Sequence, residues 1–203
     1  MARDPDRLHR RSLRLGGYDY AQPGAYFVTV CTQDRHCLFG EIEDGEMRLN
    51  KVGQIVRDEW IQTGRLRPSV ELDVFVVMPN HFHGILLLTV DGRGTARRAP
   101  TPEQFGKPVI GSLPTIIRSF KSATTKRINE CRNTPGLSVW QRNYYEHVIR
   151  EEDSLNRIRQ YIQDNPARWM YDRENPTATD PEQENAWLGQ CPKPGPTLRS
   201  FTP

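Results

Sequence analysis

Apolar and polar positions recur along the chain with two different periods, and these periods predict four core strands and three helices. Short runs rich in β-branched and aromatic residues are typical of strands, whereas apolar residues three and four positions apart are typical of a helix with one buried face. The predicted strands span residues 25–32, 70–79, 82–90 and 138–150 (the last a strand or extended segment), and the predicted helices span 51–63, 112–130 and 151–164. Residues 37–50 predict a further hairpin that turns at Asp44 and Gly45.

The order of these elements favours one architecture. Strand, helix, two strands, helix, strand and helix follow one another, and only residues 79–81 separate the second and third strands. So short a connection predicts that these two strands pair as an antiparallel hairpin. The whole order predicts an α+β fold of the ferredoxin-like (RRM-like) type, an antiparallel sheet with helices packed on one face.

Composition divides the chain into one folded domain and two flanking segments. Residues 1–17 are a basic arm, and residues 171–203 form a proline-rich tail that holds six of the 16 prolines. The domain is expected to span residues 18–170, interrupted by a loop at 91–108 that is rich in Gly, Pro and Arg.

Charge, cysteine spacing and hydropathy exclude several classes of protein. The formal net charge is +3, so no overall basic excess indicates a nucleic-acid partner. The four cysteines lack CxxC spacing, which argues against a zinc knuckle or a redox pair and favours reduced thiols in a cytoplasmic protein. No segment approaches the ~18 consecutive apolar residues of a membrane span, so we expect no membrane partner.

Two histidines interrupt the apolar run MPNHFHGILLL, which occupies residues 78–88. Alternate residues of a strand point to the same face, so His81 and His83 are expected to project together while Phe82 turns to the other side. Two neutral imidazoles on one face form half of a divalent-metal site, but a pair of partly exposed histidines with ordinary hydrogen bonds has the same sequence pattern. The apolar surroundings favour the metal site, because polar groups there cost folding free energy unless they are paired or ligated.

The last predicted helix carries a second candidate pair. Tyr161 and Asn165 are four residues apart, so they lie one turn apart and nearly in line on the helix surface. Ile158 and Ile162 mark a neighbouring buried stripe, which places Tyr161 at the edge of the buried face. Such a tyrosine is either an ordinary boundary residue or a functional group, and the helix alone does not decide between them.

Three motifs in a fixed order resemble those of one enzyme family. They are MPNHFHGIL at 78–86, VWQRNYYEHVIR at 139–150 and YIQDNP at 161–166. Together they are similar to the single-tyrosine HUH (histidine-hydrophobe-histidine) transposases of the IS200-like family, and more closely to the REP-associated tyrosine transposases. The resemblance extends from about residue 18 to residue 169, nearly the whole predicted domain.

The resemblance implies an HUH endonuclease fold and a transposase that cleaves and rejoins single-stranded DNA. By position, His81 and His83 correspond to metal ligands, and Tyr161 corresponds to the nucleophile that forms a 5′-phosphotyrosine intermediate. Asn165 stands where related enzymes place a Gln or Asn as the third ligand. A hard ion with open coordination positions, Mg²⁺ or Mn²⁺, suits this chemistry better than a closed zinc site.

The implied partner is single-stranded DNA that carries a hairpin, or palindromic repeat. Local positive charge must then bind its phosphates, because the net charge is small. The candidate DNA-binding residues lie on the second predicted helix and in the basic arm: Arg118, Lys121, Lys126, Arg127, Arg10, Arg11 and Arg14. A solvated helix face and a solvated tail are the alternatives for these two groups, and the sequence leaves both a monomer and a homodimer open.

Two other functions remain compatible with the motifs. A metal-dependent phosphoesterase could use the two histidines without a covalent intermediate, so that Tyr161 would be structural. A catalytically silent hairpin-binding module could use the RRM-like sheet, although the sheet lacks an obvious RNP aromatic-glycine pattern.

Overall fold

The computed structural model describes residues 18–89 and 109–178, which form a four-stranded antiparallel sheet with helices. Its elements are β1 (Gly24–Cys31), β2 (Gly40–Glu43), β3 (Glu46–Leu49), α1 (Lys51–Arg65), β4 (Val70–Val77), β5 (His81–Leu88), α2 (Leu113–Arg132), β6 (Tyr145–Ile149) and α3 (Glu152–Asp164), with short 3₁₀ helices at Gln33–Arg35 and Pro166–Tyr171. The predicted basic arm, the predicted 91–108 loop and residues 179–203 of the predicted tail lie outside the described residues. Within the described part, no helix has the length and apolarity needed to cross a bilayer.

The sheet has the strand order β4-β5-β1-β6, and every neighbouring pair is antiparallel. The last core strand therefore lies beside the first, as in a ferredoxin-like sheet, and the predicted α+β class is confirmed. The predicted hairpin is also present as β2 and β3, which form a separate two-stranded antiparallel sheet. Its turn residues Asp44 and Gly45 have φ values of 51° and 76°, the left-handed conformation that a two-residue hairpin turn requires.

The helices occupy both faces of the sheet, which corrects one detail of the prediction. Phe82 of β5 packs in a core with α1 and α2, whereas Ile85 of the same strand packs in a second core with α3. Residues an odd number apart in a strand point to opposite faces, so α3 lies across the sheet from α1 and α2. The prediction of helices on one face holds for α1 and α2 alone. The physical reason is that the central strands carry large apolar side chains on both faces, and both faces must be covered.

The last core strand is shorter than predicted. β6 begins at Tyr145, and the preceding residues run as an extended segment that meets the sheet at the isolated bridge between Thr32 and Trp140. Trp140 is buried, and its indole Nε1 donates a hydrogen bond of 2.7 Å to Thr124 Oγ1 of α2. The indole therefore fixes this segment to the α1 and α2 side of the molecule.

Candidate active site

The first residues of β5 place two imidazole rings on the sheet face that α3 covers. His81 and His83 are 0 % and 3 % exposed, and their ring centroids are 4.5 Å apart. Phe82, between them, packs on the opposite face with its ring centroid 4.6 Å from that of Trp60. The alternation predicted for this strand is therefore present, and it brings the two rings together.

Asn80 determines which nitrogen of His81 carries the proton. The Asn80 amide Nδ2 donates to the backbone carbonyls of Arg35 and Glu174, which leaves Oδ1 to accept. Asn80 Oδ1 lies 2.9 Å from His81 Nδ1, and an amide oxygen cannot donate, so the proton must be on Nδ1. His81 Nε2 therefore presents a lone pair.

That lone pair lies among other acceptors. His81 Nε2, Asn165 Oδ1 and Asp172 Oδ2 are each buried without a hydrogen-bond partner. The distance from His81 Nε2 to Asp172 Oδ2 is 3.5 Å, and the Asn165 amide also contacts the His81 ring. Buried lone pairs without donors are costly, and a divalent cation is one kind of partner that satisfies such atoms. The donor set therefore fits a divalent ion.

The metal ligands that are most common in proteins are not grouped here. Across residues 18–89 and 109–178, no three His, Cys, Asp or Glu side chains come together in an arrangement able to hold a metal. An ion at this position would therefore need the side-chain amide of Asn165 as a ligand. Asn165 follows directly after α3 and is 4 % exposed.

Burial keeps both imidazoles neutral. It lowers the pKa of His81 to about 4, although the charge of Glu174 and the contact with Asn165 act in the opposite direction. Burial also lowers the pKa of His83 well below its ordinary value, and the charges of His81 and Arg173 add to this effect. The neutral imidazole is the form that is able to ligate a metal.

Burial has the opposite consequence for the neighbouring carboxyl group. It raises the pKa of Asp172 to about 7, while the hydrogen bond from the Glu174 backbone nitrogen to Asp172 Oδ1, 2.7 Å long, lowers it. The position of Oδ1 is thereby fixed, and Oδ2 is directed toward His81.

α3 brings a phenol to the second histidine. Tyr161 Oη lies 3.3 Å from His83 Nε2, and the Tyr161 ring meets the ring of Phe27 edge to face. The other nitrogen of His83, Nδ1, is 2.8 Å from Thr29 Oγ1 on β1, so the hydroxyl fixes the orientation of the imidazole. One turn beyond Tyr161, Asn165 faces His81. The structure thus brings together all four residues named from the HFH and YIQDN motifs.

Three contributors to this site were missed in the sequence: Thr29, Asn80 and Asp172. Thr29 and Asn80 had usable signals, since Thr29 is a polar residue within an apolar strand and Asn80 precedes the HFH motif directly. Asp172 had none, because it follows a 3₁₀ helix in a segment without periodicity that the sequence assigned to the tail.

The candidate DNA-binding residues of α2 differ in their surroundings. Lys121 Nζ donates to the carbonyl oxygens of Gln141 (2.6 Å), Arg142 (3.0 Å) and Asn143 (3.5 Å), so its ammonium group holds the segment before β6. Arg127 Nη1 pairs with Glu59 Oε1 of α1 at 2.6 Å, whereas the Lys126 side chain is 78 % exposed and Arg118 is exposed. Arg10, Arg11 and Arg14 lie outside the described residues.

Known proteins similar to the chain were found by sequence and by structure, although no model of a protein family matches it. An "Uncharacterized protein" of Haemophilus influenzae is 40% identical over 171 residues, which cover 81% of this chain and 92% of the relative. A "Putative REP-associated tyrosine transposase" of the same organism is 27% identical over 154 residues, covering 75% of this chain and 76% of the relative. Among solved structures, a REP-associated tyrosine transposase bound to a REP hairpin aligns with a TM-score of 0.47 and 22% identity, over 79% of this chain and 73% of that chain.

Proposed function

We propose that the chain is a REP-associated tyrosine transposase, which cleaves and rejoins single-stranded DNA at hairpin-associated sites. One observation carries the proposal: a phenol lies 3.3 Å from an imidazole nitrogen, beside a group of buried lone pairs that lack donors. A nucleophile next to a fitting ion site is the arrangement that cleavage through a covalent intermediate needs.

We propose that His81, His83 and Asn165 hold the ion, which would be Mg²⁺ or Mn²⁺. When bound, such an ion polarises a phosphoryl group and stabilises a leaving oxygen. One nitrogen cannot hold an ion and a phenol proton together, so we expect Tyr161 to leave His83 Nε2 when the site is loaded and to turn toward the phosphate.

The step assigned to Tyr161 is an in-line displacement at phosphorus. Tyr161 Oη gives up its proton to water and forms a bond to the phosphorus of a DNA phosphodiester, and the bond from phosphorus to the 3′ oxygen breaks. The 3′ oxygen takes up a proton, and the 5′ phosphate remains on the tyrosine, which preserves the energy of the ester bond. A 3′-OH from another strand can reverse the step, so the same residues cleave and rejoin.

The positive charge near the site suits a phosphodiester substrate. The charges of Arg35 and Arg173 are close enough to His81 to lower its pKa. Both guanidinium groups pair with Glu174, Arg35 Nε at 3.0 Å from Oε2 and Arg173 Nε at 3.7 Å from Oε1. Since phosphate contacts dominate affinity for nucleic acids, we propose that this positive region and the exposed cations of α2 both face the DNA.

The proposal is tested by searching for the covalent adduct. The full-length protein, labelled single-stranded DNA from the flanks of its own gene and Mn²⁺ are incubated and resolved under denaturing conditions. We expect an adduct with the wild type and none with Tyr161→Phe. Tyr145→Phe is the matched control, because the ring of Tyr145 also meets that of Phe27, at a centroid distance of 6.3 Å, and this variant should retain the adduct.

Two outcomes would replace the proposed function by its alternatives. If Tyr161→Phe still cuts the DNA, the protein is a metal-dependent phosphoesterase that uses water as nucleophile. If the wild type binds hairpin DNA but cuts none in Mn²⁺ or Mg²⁺, it is a silent hairpin-binding module.

A further inference from the structure

We propose that Trp169 binds an unpaired base of the DNA by stacking, next to the phosphate that Tyr161 attacks. The proposal rests on the proposed function, because it concerns the strand that the same site is proposed to cleave. It deepens that function by naming a residue that holds a base rather than a phosphate. Trp169 lies in the 3₁₀ helix Pro166–Tyr171, beyond the YIQDN motif.

A line of aromatic rings connects Trp169 with the proposed nucleophile. The ring centroids of Tyr161 and His83 are 5.2 Å apart, and those of His83 and His81 are 4.5 Å apart. The ring centroid of Trp169 follows at 6.0 Å from that of His81. Tyr161 thus borders one histidine and Trp169 borders the other. Single-stranded DNA is bound over several nucleotides, so a strand whose phosphate lies at Tyr161 brings neighbouring bases within reach of Trp169.

The Trp169 ring belongs to neither apolar core of the described residues. Trp60 and Trp140 are 0 % and 5 % exposed and lie in the core toward α1 and α2, whereas Trp169 is partly exposed. Its 3₁₀ helix contains no buried residue, and Met170 and Tyr171 are 61 % and 38 % exposed. A segment that leaves such side chains at the surface contributes little to the core, and an exposed apolar patch is typical of a binding site.

Arginine side chains flank the tryptophan. Arg168 precedes it and is exposed, and Arg173 follows it in the same segment. Arg35, from the 3₁₀ helix after β1, donates through Nη1 to the Arg173 carbonyl oxygen at 3.5 Å. A guanidinium group has five N–H donors, so it is able to bind a phosphate while it keeps its contact with Glu174. An aromatic ring beside such cations is the combination that binds single-stranded nucleic acids, which favours DNA over an apolar protein segment as the occupant.

Hydrogen bonds of the backbone fix the position of Trp169. Its carbonyl oxygen accepts from Asn175 Nδ2 at 2.9 Å and from the backbone nitrogen of Asp172 at 3.2 Å. The Arg168 backbone nitrogen donates to the Asn165 carbonyl oxygen at 3.1 Å, which joins the 3₁₀ helix to the end of α3. The tryptophan is therefore held in place relative to the helix that carries the proposed nucleophile. A residue held in this way is preorganised, so less binding free energy is spent on ordering it.

The test compares the affinity of the full-length protein for two DNA probes in EDTA. Each probe is a DNA hairpin with a single-stranded flank, taken from the flanks of the protein's own gene. In the second probe, abasic sugars replace the bases of the single-stranded flank, so the phosphates remain and the bases are absent. Fluorescence anisotropy measures both affinities. The wild type should bind the abasic probe about tenfold more weakly, as expected for the loss of one stacked base.

The variant Trp169→Ala should lose this preference for bases. It should bind the normal probe about tenfold more weakly than the wild type does, and the abasic probe as the wild type does. Trp169→Phe keeps an aromatic ring and should retain most of the preference. Tyr171→Ala is the matched control, because a 3₁₀ helix turns by about 120° per residue and directs Tyr171 to a different side. This control should bind both probes like the wild type.

The outcomes separate base stacking from a structural role. If Trp169→Ala weakens binding of both probes by the same factor, the ring supports the fold or the phosphate contacts, and the base-binding assignment is overturned. The assignment also fails if the wild type binds the two probes equally, or if Tyr171→Ala alone loses the preference.

Further outcomes distinguish this proposal from the proposed function. If the wild type forms the covalent adduct and Trp169→Ala keeps the preference for bases, the cleavage function stands while Trp169 binds no base. If the wild type binds neither probe and forms no adduct, the proposed function itself is wrong.

Discussion

The two faces of the central sheet have different contents although they share the same strands. The face toward α1 and α2 is covered by packed aromatic rings, with Trp60, Phe82 and Phe120 in mutual contact. The face toward α3 has a smaller apolar core, and beside it lie buried histidine, amide and carboxyl groups whose lone pairs lack donors. The difference indicates that the first face supplies most of the folding free energy, which allows the second to keep groups that are unfavourable for folding.

The largest effect on stability is expected from Phe82→Ala, on the face toward α1 and α2. The ring is fully buried between Trp60 and Phe120, so its removal leaves a cavity in the larger core. We expect a loss of about 3–5 kcal/mol in the free energy of unfolding, measured by urea denaturation. A loss below 1 kcal/mol would contradict the assignment of stability to this face.

Substitutions of His81 and His83, on the other face, should affect metal binding more than stability. His81→Ala and His83→Ala should each lower Mn²⁺ affinity by at least about 100-fold, because each is proposed to remove a ligand. Their cost in unfolding free energy should stay below about 2 kcal/mol, the range for one buried hydrogen bond. Calorimetric titration with Mn²⁺ and urea denaturation give the two quantities, and unchanged affinity in both variants would remove the metal site.

Two threonines, one on each face of the sheet, test the same difference between the faces. Thr29→Val removes the hydroxyl that orients His83, and we expect about a tenfold loss of Mn²⁺ affinity. Thr124→Val removes the acceptor of the Trp140 indole on the other side of the sheet, so it should cost about 1–3 kcal/mol of stability and leave Mn²⁺ affinity intact. Equal effects of the two variants on Mn²⁺ affinity would mean that the faces are not functionally separate.

How much of the fold and of the candidate site could be predicted from the sequence depends on whether the residues concerned lie in a regular helix or strand. His81 and His83 could be placed together, and Tyr161 near Asn165, because strand and helix periods fix which side chains share a face. The side on which α3 packs could not be predicted, because β1 carries apolar residues toward both faces and no polar face marks the solvent. Asp172 could not be placed either, because it follows Pro166 in a segment whose conformation depends on tertiary contacts such as that of Asn80 with Glu174.

The pH dependence of stability in the metal-free protein is expected to reflect the buried histidines His81 and His83 and the opposing carboxyl group of Asp172 on the α3 face. The pKa of His81 is about 4 when folded and 6.5 otherwise, so the unfolded chain takes up the proton first and stability falls as the pH drops from 6.5 toward 4. The pKa of Asp172 is about 7 when folded and 3.8 otherwise, so the folded protein takes up the proton first and stability rises over nearly the same interval.

Asp172→Asn should therefore reveal the histidine contribution. The wild type, in EDTA, should lose less stability than the variant between pH 6.5 and 4.5, because protonation of Asp172 offsets the effect of one of the two buried histidines. The variant should lose up to about 1.4 kcal/mol per pH unit for each buried histidine, measured by urea denaturation across that interval. Parallel curves for the two proteins would show that Asp172 does not titrate differently in the folded and unfolded states.

The smallest effect is expected for DNA binding through α2, which lies on the face away from the histidines. Arg118 and Lys126 are exposed, so a hairpin could reach them, whereas Lys121 already donates to three backbone carbonyls. If both exposed residues contact phosphates, Arg118→Gln with Lys126→Gln should flatten the slope of log K against log salt by about 1.8. Lys121→Met should leave the slope unchanged and lower stability instead.

Fluorescence anisotropy with a DNA hairpin at several salt concentrations measures the slope. An unaltered slope in the double variant would mean that the hairpin does not contact α2, and the cations near the histidines and Arg10, Arg11 and Arg14 would then be the groups to neutralise next.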